Sequence, residues 1–338
     1  MGIATGLRWN SFLLWLPLVW LIGCGIAAAA EEAPTLRIGV LKFGTVNWGL
    51  NVIQQHGLDK AEGINLQIVP LASKSASHVA IQGGAVDVIV TDWLWVSRQR
   101  SEGRDYTFVP LSRLVGAVMV NPDAGIKTLA DLRDKRIGVA GGPIDKSWLL
   151  LRAYGRKQLG EDLSKIAQPS YAAPPLLNEL TLRGDLPAAL NFWHYTARLA
   201  AAGMEPLIKV EDIIADFGIH RPLPLIGWVF HDTWADQNRE LMSAFLRASR
   251  AASKIMAESD DEWERLRPLT KAENDATLLR LRDGYRYGIT TCFGEPEKKE
   301  VAQVFAILAS EGGEALVGKQ TELSQGTFWQ GSGFEACP

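Results

Sequence analysis

Two glycine pairs, each beside a short apolar segment, constrain the fold of this chain more than any other feature. Gly83-Gly84 ends a helical segment and precedes an apolar strand at residues 86–90. Gly141-Gly142 follows a strand at residues 136–140 and leads into an amphipathic helix. Such turns leave backbone N–H groups free where a helix begins, and they can hold a small polar or anionic molecule. An ordinary tight turn between strand and helix needs glycine as well, so the pairs indicate βα units before they indicate a site.

Strand and helix patterns alternate along most of the chain, which is typical of parallel sheets with helices on both faces. Beyond Trp234 the pattern is almost wholly helical. Residues 109–120 and 223–230 are apolar without helical spacing, and we expect them to cross between two lobes. A chain of 338 residues is also too long for one hydrophobic core. Strands are predicted at residues 36–41, 65–71, 86–90, 136–140, 165–167 and 188–192, and helices at 48–56, 75–82, 94–103, 146–159 and 175–182.

The segments QGGAVDVIVTDW (residues 82–93) and TLADLRDKRIGVAGG (residues 128–142) together carry a family resemblance. The chain resembles the periplasmic substrate-binding proteins of ABC importers, and within them the group that binds nitrate, sulfonates, taurine and the pyrimidine precursor of thiamine. The resemblance extends from Thr35 to about Leu316. It implies an α/β fold of two lobes (type II), with two parallel-type sheets flanked by helices and joined by two crossover strands. It also implies a ligand in the cleft, an ABC permease as partner, a monomer and no cofactor.

The predicted division of the chain follows from this plan. Lobe one comprises residues 31–115 and 225–338, including the C-terminal helices, and lobe two comprises residues 116–224. Residues 1–30 are predicted to be a signal peptide.

The N-terminus has the features of an export signal. Arg8 precedes an apolar run at residues 12–22, and the alanines at 27–30 form a cleavage site before two glutamates. The run is short for a membrane span. Cys24, in Leu-Ile-Gly-Cys, resembles the acylated cysteine of bacterial lipoproteins, so cleavage after Ala30 and lipidation at Cys24 both remain open. Either one predicts a periplasmic protein.

The cysteines, the histidines and the net charge indicate which kinds of site to expect in this chain. Cys292 and Cys337 are the cysteines that remain after processing, and an oxidising compartment favours a disulfide between them over two free thiols. Neither cysteine nor histidine shows the spacing of a metal site. The net charge of −3 offers no basic surface for nucleic acid.

Ligands of open α/β sheets lie at the carboxyl ends of the strands, and this rule selects the candidate ligand-binding residues. Five of the twelve tryptophans fall at strand ends or in the return crossover, where an indole can stack on a flat or cationic ligand. Among the charged candidates, lysines can neutralise an anion and aspartates can pair with an amine, while Asp145 is also suited to cap a helix. The candidates are Phe43, Thr45, Trp48, Ser73, Lys74, Thr91, Asp92, Trp93, Gly141, Gly142, Asp145, Lys146, Asn191 and Trp193.

The predicted function is the binding of a small organic solute and its delivery to an ABC permease. Pro143 lacks an N–H donor beside the glycine pair, which favours a ligand with an aromatic or heterocyclic part over sulfonate or nitrate. One alternative is a periplasmic sensor or solute-presenting protein without a transporter. Another is an enzyme, since pyrimidine synthases of thiamine biosynthesis have a similar fold. Their cysteine-rich motif is missing here and a signal peptide does not suit a cytosolic enzyme, so we expect no catalysis.

Overall fold

The computed structural model describes residues 1–3, 6 and 33–338. Residues 1–3 and 6 form no helix or strand, and Ala33–Pro338 form a unit of their own that contains both sheets. The predicted cleavage site after Ala30 and the lipidation site at Cys24 lie outside the described residues. Within the described part, no helix is long and apolar enough to span a membrane.

Within residues 33–338, ten strands form two sheets of five strands each. The strands nearest the sheet centres are apolar and buried, because helices cover both of their faces. The strands are β1 (Thr35–Leu41), β2 (Asn65–Leu71), β3 (Val88–Asp92), β4 (Tyr106–Ser112), β5 (Ala117–Val120), β6 (Arg136–Ala140), β7 (Gln168–Ala172), β8 (Ala188–Asn191), β9 (Glu205–Lys209) and β10 (Ile226–His231).

Both sheets are mixed, with one strand running against a parallel set. The first has the order β2-β1-β3-β10-β4 and the second β7-β6-β8-β5-β9. Strands β10 and β5 are antiparallel to their neighbours, although the sequence favoured parallel-type sheets. The reason is where the chain enters each sheet: Ile226 begins β10 opposite Asp92, the last residue of β3, and Ala117 begins β5 opposite Asn191, the last residue of β8. A strand that begins where its neighbour ends must run in the opposite direction.

Fourteen α-helices pack around these sheets in the described residues. The third of the chain beyond Trp234 is almost wholly helical, as the sequence predicts. The helices are α1 (Val46–Gln55), α2 (Leu58–Ala61), α3 (Lys74–Gln82), α4 (Trp93–Ser101), α5 (Lys146–Leu159), α6 (Leu163–Ile166), α7 (Pro174–Leu182), α8 (Trp193–Ala201), α9 (Val210–Asp216), α10 (Asp232–Gln237), α11 (Arg239–Glu258), α12 (Asp260–Thr270), α13 (Asp275–Gly288) and α14 (Glu295–Val317).

The strand predicted at residues 165–167 is wrong. These residues lie in and directly after the short helix α6, and the strand β7 begins at Gln168. The carboxylate of Asp162 accepts hydrogen bonds from the backbone N–H of Ser164 (2.9 Å) and from the Arg152 guanidinium (2.8 Å). This cap starts a helical turn that a short apolar run does not reveal.

Two connections join the sheets, at residues 113–116 and 217–225. The second connection is bonded to the strand that precedes the first, because the Leu225 N–H donates to the carbonyl of Ser112, the last residue of β4, at 3.0 Å. Gly116 lies so close to the second sheet that a Cβ there would sit 1.8 Å from the Asn191 carbonyl oxygen, so only glycine fits. We propose these two connections as the hinge between the lobes.

The predicted disulfide between Cys292 and Cys337 is confirmed. It joins the segment between α13 and α14 to the C-terminal tail. The tail also packs against the first sheet, where the Trp329 N–H donates to the Phe108 carbonyl at 3.0 Å.

Candidate functional site

Four charged candidates meet where α3, α4 and α5 begin, and they connect the two sheets. Asp92 ends β3 in the first sheet, and Lys146 begins α5 after the second sheet's β6. The Lys146 ammonium donates to Asp92 Oδ2 at 2.8 Å. Lys74, the first residue of α3, places its Nζ 3.7 Å from the same oxygen. We call Lys74, Asp92, Asp145 and Lys146 the charged cluster.

Helix caps hold the two carboxylates of the charged cluster in place. Asp92 Oδ1 accepts the N–H of Trp95 at 3.0 Å, and Asp145 Oδ1 accepts the N–H of Ser147 at 2.9 Å. The backbone before Asp145 depends on glycine, since Gly141 and Gly142 have φ of +82° and +90°. A Cβ at Gly141 would also lie 2.5 Å from Asp145 Oδ2. The glycine pair therefore positions a carboxylate at the end of β6.

The electrostatics of the charged cluster follow from burial and close opposite charges. Burial opposes ionisation of Asp92, yet the ammonium groups of Lys146 and Lys74 lower its pKa below the usual range. Burial also works against the charge on Lys146, but Asp92 and Asp145 raise its pKa. The like charge of Lys146 lowers the pKa of Lys74, and burial raises the pKa of Asp145. The Asp92–Lys146 pair is thus the most firmly charged part of the cluster.

Aromatic side chains form a second contact between the two halves of the structure, near the beginnings of α1 and α8. The Trp48 and Trp193 rings pack edge to face with centroids 6.0 Å apart, and Tyr285 of α13 lies 6.1 Å from Trp48. Burial raises the pKa of Tyr285 to about 12. We call Trp48, Trp193 and Tyr285 the aromatic cluster. It connects α1 of the first sheet to α8 of the second.

A cavity of about 40 Å³ lies beside the aromatic cluster. Its lining includes Thr45 at the start of α1 and Trp193, together with Ser112 next to the connection between the sheets. A space of this volume holds a few waters and no organic solute. A larger ligand on this side would have to displace lining side chains such as Trp193, which packs against Trp48.

The remaining candidates take other positions. Trp93 is fully buried and donates its indole N–H to the Pro224 carbonyl at 2.9 Å, so it presents no face to a ligand. Asn191 is buried, with Nδ2 bonded to the Pro174 carbonyl and to Asn178 Oδ1.

The next three candidates differ in their surroundings, and Thr91 is buried. Thr91 lies within hydrogen-bond distance of His78 Nε2 (3.1 Å), and the Ser73 hydroxyl caps α3. Phe43 is 76% exposed, between the ammonium groups of Lys42 and Lys271.

The sequence reasoning missed Tyr285, Ser249 and Ser253, which line the cavity from α13 and α11. They follow no strand, so the rule that ligands lie at strand ends could not select them. On amphipathic helices, the same residue types at the same spacing pack equally well against a core.

The folding stability of the protein should depend on pH through His194 of α8. Its Nδ1 is buried without a hydrogen-bond partner among the described residues, and burial followed by the charge of Arg198 lowers its pKa to about 4. An unfolded histidine titrates near 6.5, so between pH 6.5 and 4 the unfolded chain binds more protons. The stability due to neutral His194 is complete above pH 6.5 and is lost as the pH falls towards 4.

We expect His194 to lower the free energy of unfolding of the parent by about 2–3 kcal/mol between pH 7 and pH 4.5. This loss should be absent in His194→Phe. Urea unfolding of parent and variant at pH 7 and pH 4.5 measures it. The exposed His220 offers a matched control, since His220→Phe should leave the pH dependence of the parent. An equal loss in parent and His194→Phe would contradict the prediction.

The two sheets, the paired connections and the cleft at the strand ends define an α/β protein of the two-lobe binding-protein class. A family model described as NMT1/THI5 like matches residues 46–263, and the chain belongs to this family. No curated protein sequence matches it.

Solved structures share the fold. The chain is similar to the periplasmic aliphatic sulphonate binding protein SsuA from Escherichia coli, with 18% identity, a TM-score of 0.67 and coverage of 88% of this chain and 92% of that one. It is also similar to the alkanesulfonate-binding protein SsuA from Xanthomonas axonopodis pv. citri bound to MOPS, with 17% identity, a TM-score of 0.65 and coverage of 89% and 99%. The periplasmic nitrate-binding protein NrtA from Synechocystis PCC 6803 has 14% identity, a TM-score of 0.50 and coverage of 70% and 66%. At these identities the likeness establishes the predicted two-lobe fold.

Proposed function

We propose that this protein binds a small organic solute in the cleft between its two lobes and delivers it to an ABC permease. One observation carries the proposal: the strand ends of both sheets come together at a charged cluster and an aromatic cluster, each contributed by both sheets. A ligand held between them would contact both lobes and could favour their closure. The named relatives with this fold are binding proteins, which supports a binding function rather than catalysis.

The proposed binding surface lies between the two clusters. A solute that enters must separate Trp48 from Trp193, and it would then take up the aromatic surface that they now share. Ser73 and the Gly141-Gly142 backbone border the charged side, and Thr45 borders the aromatic side. Trp93 and Asn191 are left out, since their side chains are already buried and bonded.

Export to the periplasm is part of the same proposal. The apolar run and the alanine-rich cleavage site of the first 30 residues support it, and two of the named relatives, those from Escherichia coli and Synechocystis, are periplasmic. The confirmed disulfide is typical of an oxidising compartment. We propose that the mature protein acts there as a monomer, with a permease of the inner membrane as its partner.

Native mass spectrometry of protein purified from its own periplasm tests the proposal. We expect a second species heavier by the mass of one small solute, which disappears when the protein is denatured. If the protein stays free of ligand after purification, and also after incubation with a small-metabolite extract of the same cells, the proposed binding function is wrong.

Truncation of Trp193 tests which part of the cleft binds the solute. We expect Trp193→Ala to weaken binding of the solute found by mass spectrometry at least tenfold, or about 1.4 kcal/mol, because a rigid aromatic face is lost. Calorimetry measures the affinity, and circular dichroism verifies the fold. Trp234, at the end of the first sheet away from the cleft, is the matched control, and Trp234→Ala should bind like the parent. Equal affinity in Trp193→Ala and parent would place the solute elsewhere.

A further inference from the structure

We infer that the cleft selects a zwitterionic solute, which carries an ammonium group and an anionic group but no net charge. This inference rests on the proposed solute-binding function and concerns the chemistry of the charged cluster. Its first support is that the protein's own carboxylates already occupy two of the three helix N-termini that meet at the cluster, while α3, which begins at Lys74, is capped by the Ser73 hydroxyl. Asp92 accepts the Trp95 N–H of α4, and Asp145 accepts the N–H groups of Ser147 and Trp148 of α5. An anionic group would otherwise be stabilised at these two N-termini, so the N-terminus of α3, beside Lys74, is the place at the cluster that suits the anionic end of a ligand.

The second support is the charge balance. The cluster contains two ammonium groups and two carboxylates, so its formal charge is zero. Lys146 is paired with Asp92, whose side chain is 9% exposed. An anion that entered would give the cluster a net negative charge beside the buried Asp92 carboxylate, and burying a net charge is costly. A zwitterion adds no net charge.

The third support is a pair of groups with remaining capacity for a ligand, Lys74 in its long ion pair with Asp92 and the second carboxylate oxygen of Asp145. Lys74 Nζ lies 3.7 Å from Asp92 Oδ2, and the Lys74 side chain is 60% exposed. Asp145 Oδ2 accepts no hydrogen bond from the described residues, because both capping N–H groups bond to Oδ1. One cation and one carboxylate oxygen, from opposite sheets, are thus available to a ligand. An anionic group can pair with Lys74 and an ammonium group with Asp145.

The titration of Lys74 and Asp145 agrees with this geometry. The neighbouring Lys146 lowers the pKa of Lys74, and burial raises the pKa of Asp145. Both charged forms are therefore less favoured than usual in the ligand-free protein. A bound zwitterion would place its anionic group beside Lys74 and its ammonium group beside Asp145. Its binding would therefore stabilise the charged forms of both side chains.

Fractionated metabolites test the inference. A small-metabolite extract of the source cells is separated by electrophoresis at pH 7 into anionic, net-neutral and cationic fractions. The net-neutral fraction is then divided by cation exchange at pH 2, which retains the amine-bearing solutes. Protein stripped of ligand and refolded is incubated with each fraction, and native mass spectrometry measures the share of protein that carries a solute. We expect the amine-bearing net-neutral fraction to occupy at least ten times more protein than any other.

Greater occupancy from the anionic, cationic or uncharged fraction would overturn the inference while leaving solute binding intact. No occupancy from any fraction would instead show that the proposed solute-binding function is wrong, and the inference would then be wrong as well. We expect Asp145→Asn to reduce occupancy by the amine-bearing fraction at least tenfold. Asparagine is as good a helix cap as aspartate, so the fold should persist. Asp123→Asn, at an exposed position shortly after β5 of the second sheet, is the matched control and should bind like the parent. Unchanged binding by Asp145→Asn would show that Asp145 does not contact the solute.

Discussion

Replacement of both Cys292 and Cys337 by serine is expected to lower the free energy of unfolding by about 4 kcal/mol. The disulfide closes a loop between residues 45 positions apart, and in the chain-entropy model the loss of such a cross-link frees the unfolded chain by that amount. Guanidinium unfolding of the oxidised parent and the double variant measures the difference. The parent kept in reductant is the matched control, and it should unfold like the variant.

The tail that this disulfide holds also contacts the connection between the lobes. Glu297 is fully buried, and it accepts hydrogen bonds from the Arg221 guanidinium (2.6 Å) and the Cys337 N–H (3.3 Å). Arg221 lies in the return connection at residues 217–225. We therefore expect hydrogen exchange in this connection to accelerate in the double variant. Equal stability of the oxidised parent and the variant would contradict the assigned contribution of the disulfide.

The sequence predicts the fold well where local signals agree with the tertiary structure. Gly141-Gly142, Asp145 and the amphipathic run after it predict a turn, a cap and a helix, and α5 begins at Lys146 as expected. The antiparallel direction of β10 and β5 was missed, because strand direction depends on where a distant segment enters the sheet. The apolar pattern of a strand is the same in either direction.

The candidate site is less predictable from the sequence for a related reason. Trp48 and Trp93 both lie near strand ends, yet Trp48 contacts Trp193 across the cleft and Trp93 bonds to Pro224 in the interior. The partner of Trp93 is 131 positions away, and no local pattern indicates it. The charged residues were easier to predict, because a buried charge needs a partner and few oppositely charged residues lie at neighbouring strand ends. Their mutual pairing across the two sheets still required the structure.

Removal of the Lys146 ammonium is expected to lower the free energy of unfolding by about 3–5 kcal/mol. Lys146→Met keeps most of the side-chain volume but leaves the buried Asp92 carboxylate with Lys74 at 3.7 Å as its nearest cation. Removal of one partner of a buried ion pair has a cost of this order, and the exposed, more distant Lys74 compensates the Asp92 charge only in part. Urea unfolding at pH 7 measures it. Lys165→Met, in the last turn of α6 and outside the cleft, is the matched control and should change little.

The double variant Asp92→Asn/Lys146→Met separates the lost charge from lost packing. Asparagine can still accept the Trp95 N–H that caps α4 and needs no cation, so most of the stability should return. The deficit of Lys146→Met should also depend on pH. In the parent, the lysines lower the pKa of Asp92, so its contribution is complete above the unfolded value near 4 and is lost below it. Without Lys146 the carboxyl group can take up a proton at higher pH and lose its unpaired charge, so the variant's deficit should shrink as the pH falls from 7 towards 4. A deficit that is constant over this range, or a double variant no more stable than Lys146→Met, would show that the pair contributes through packing and not through charge.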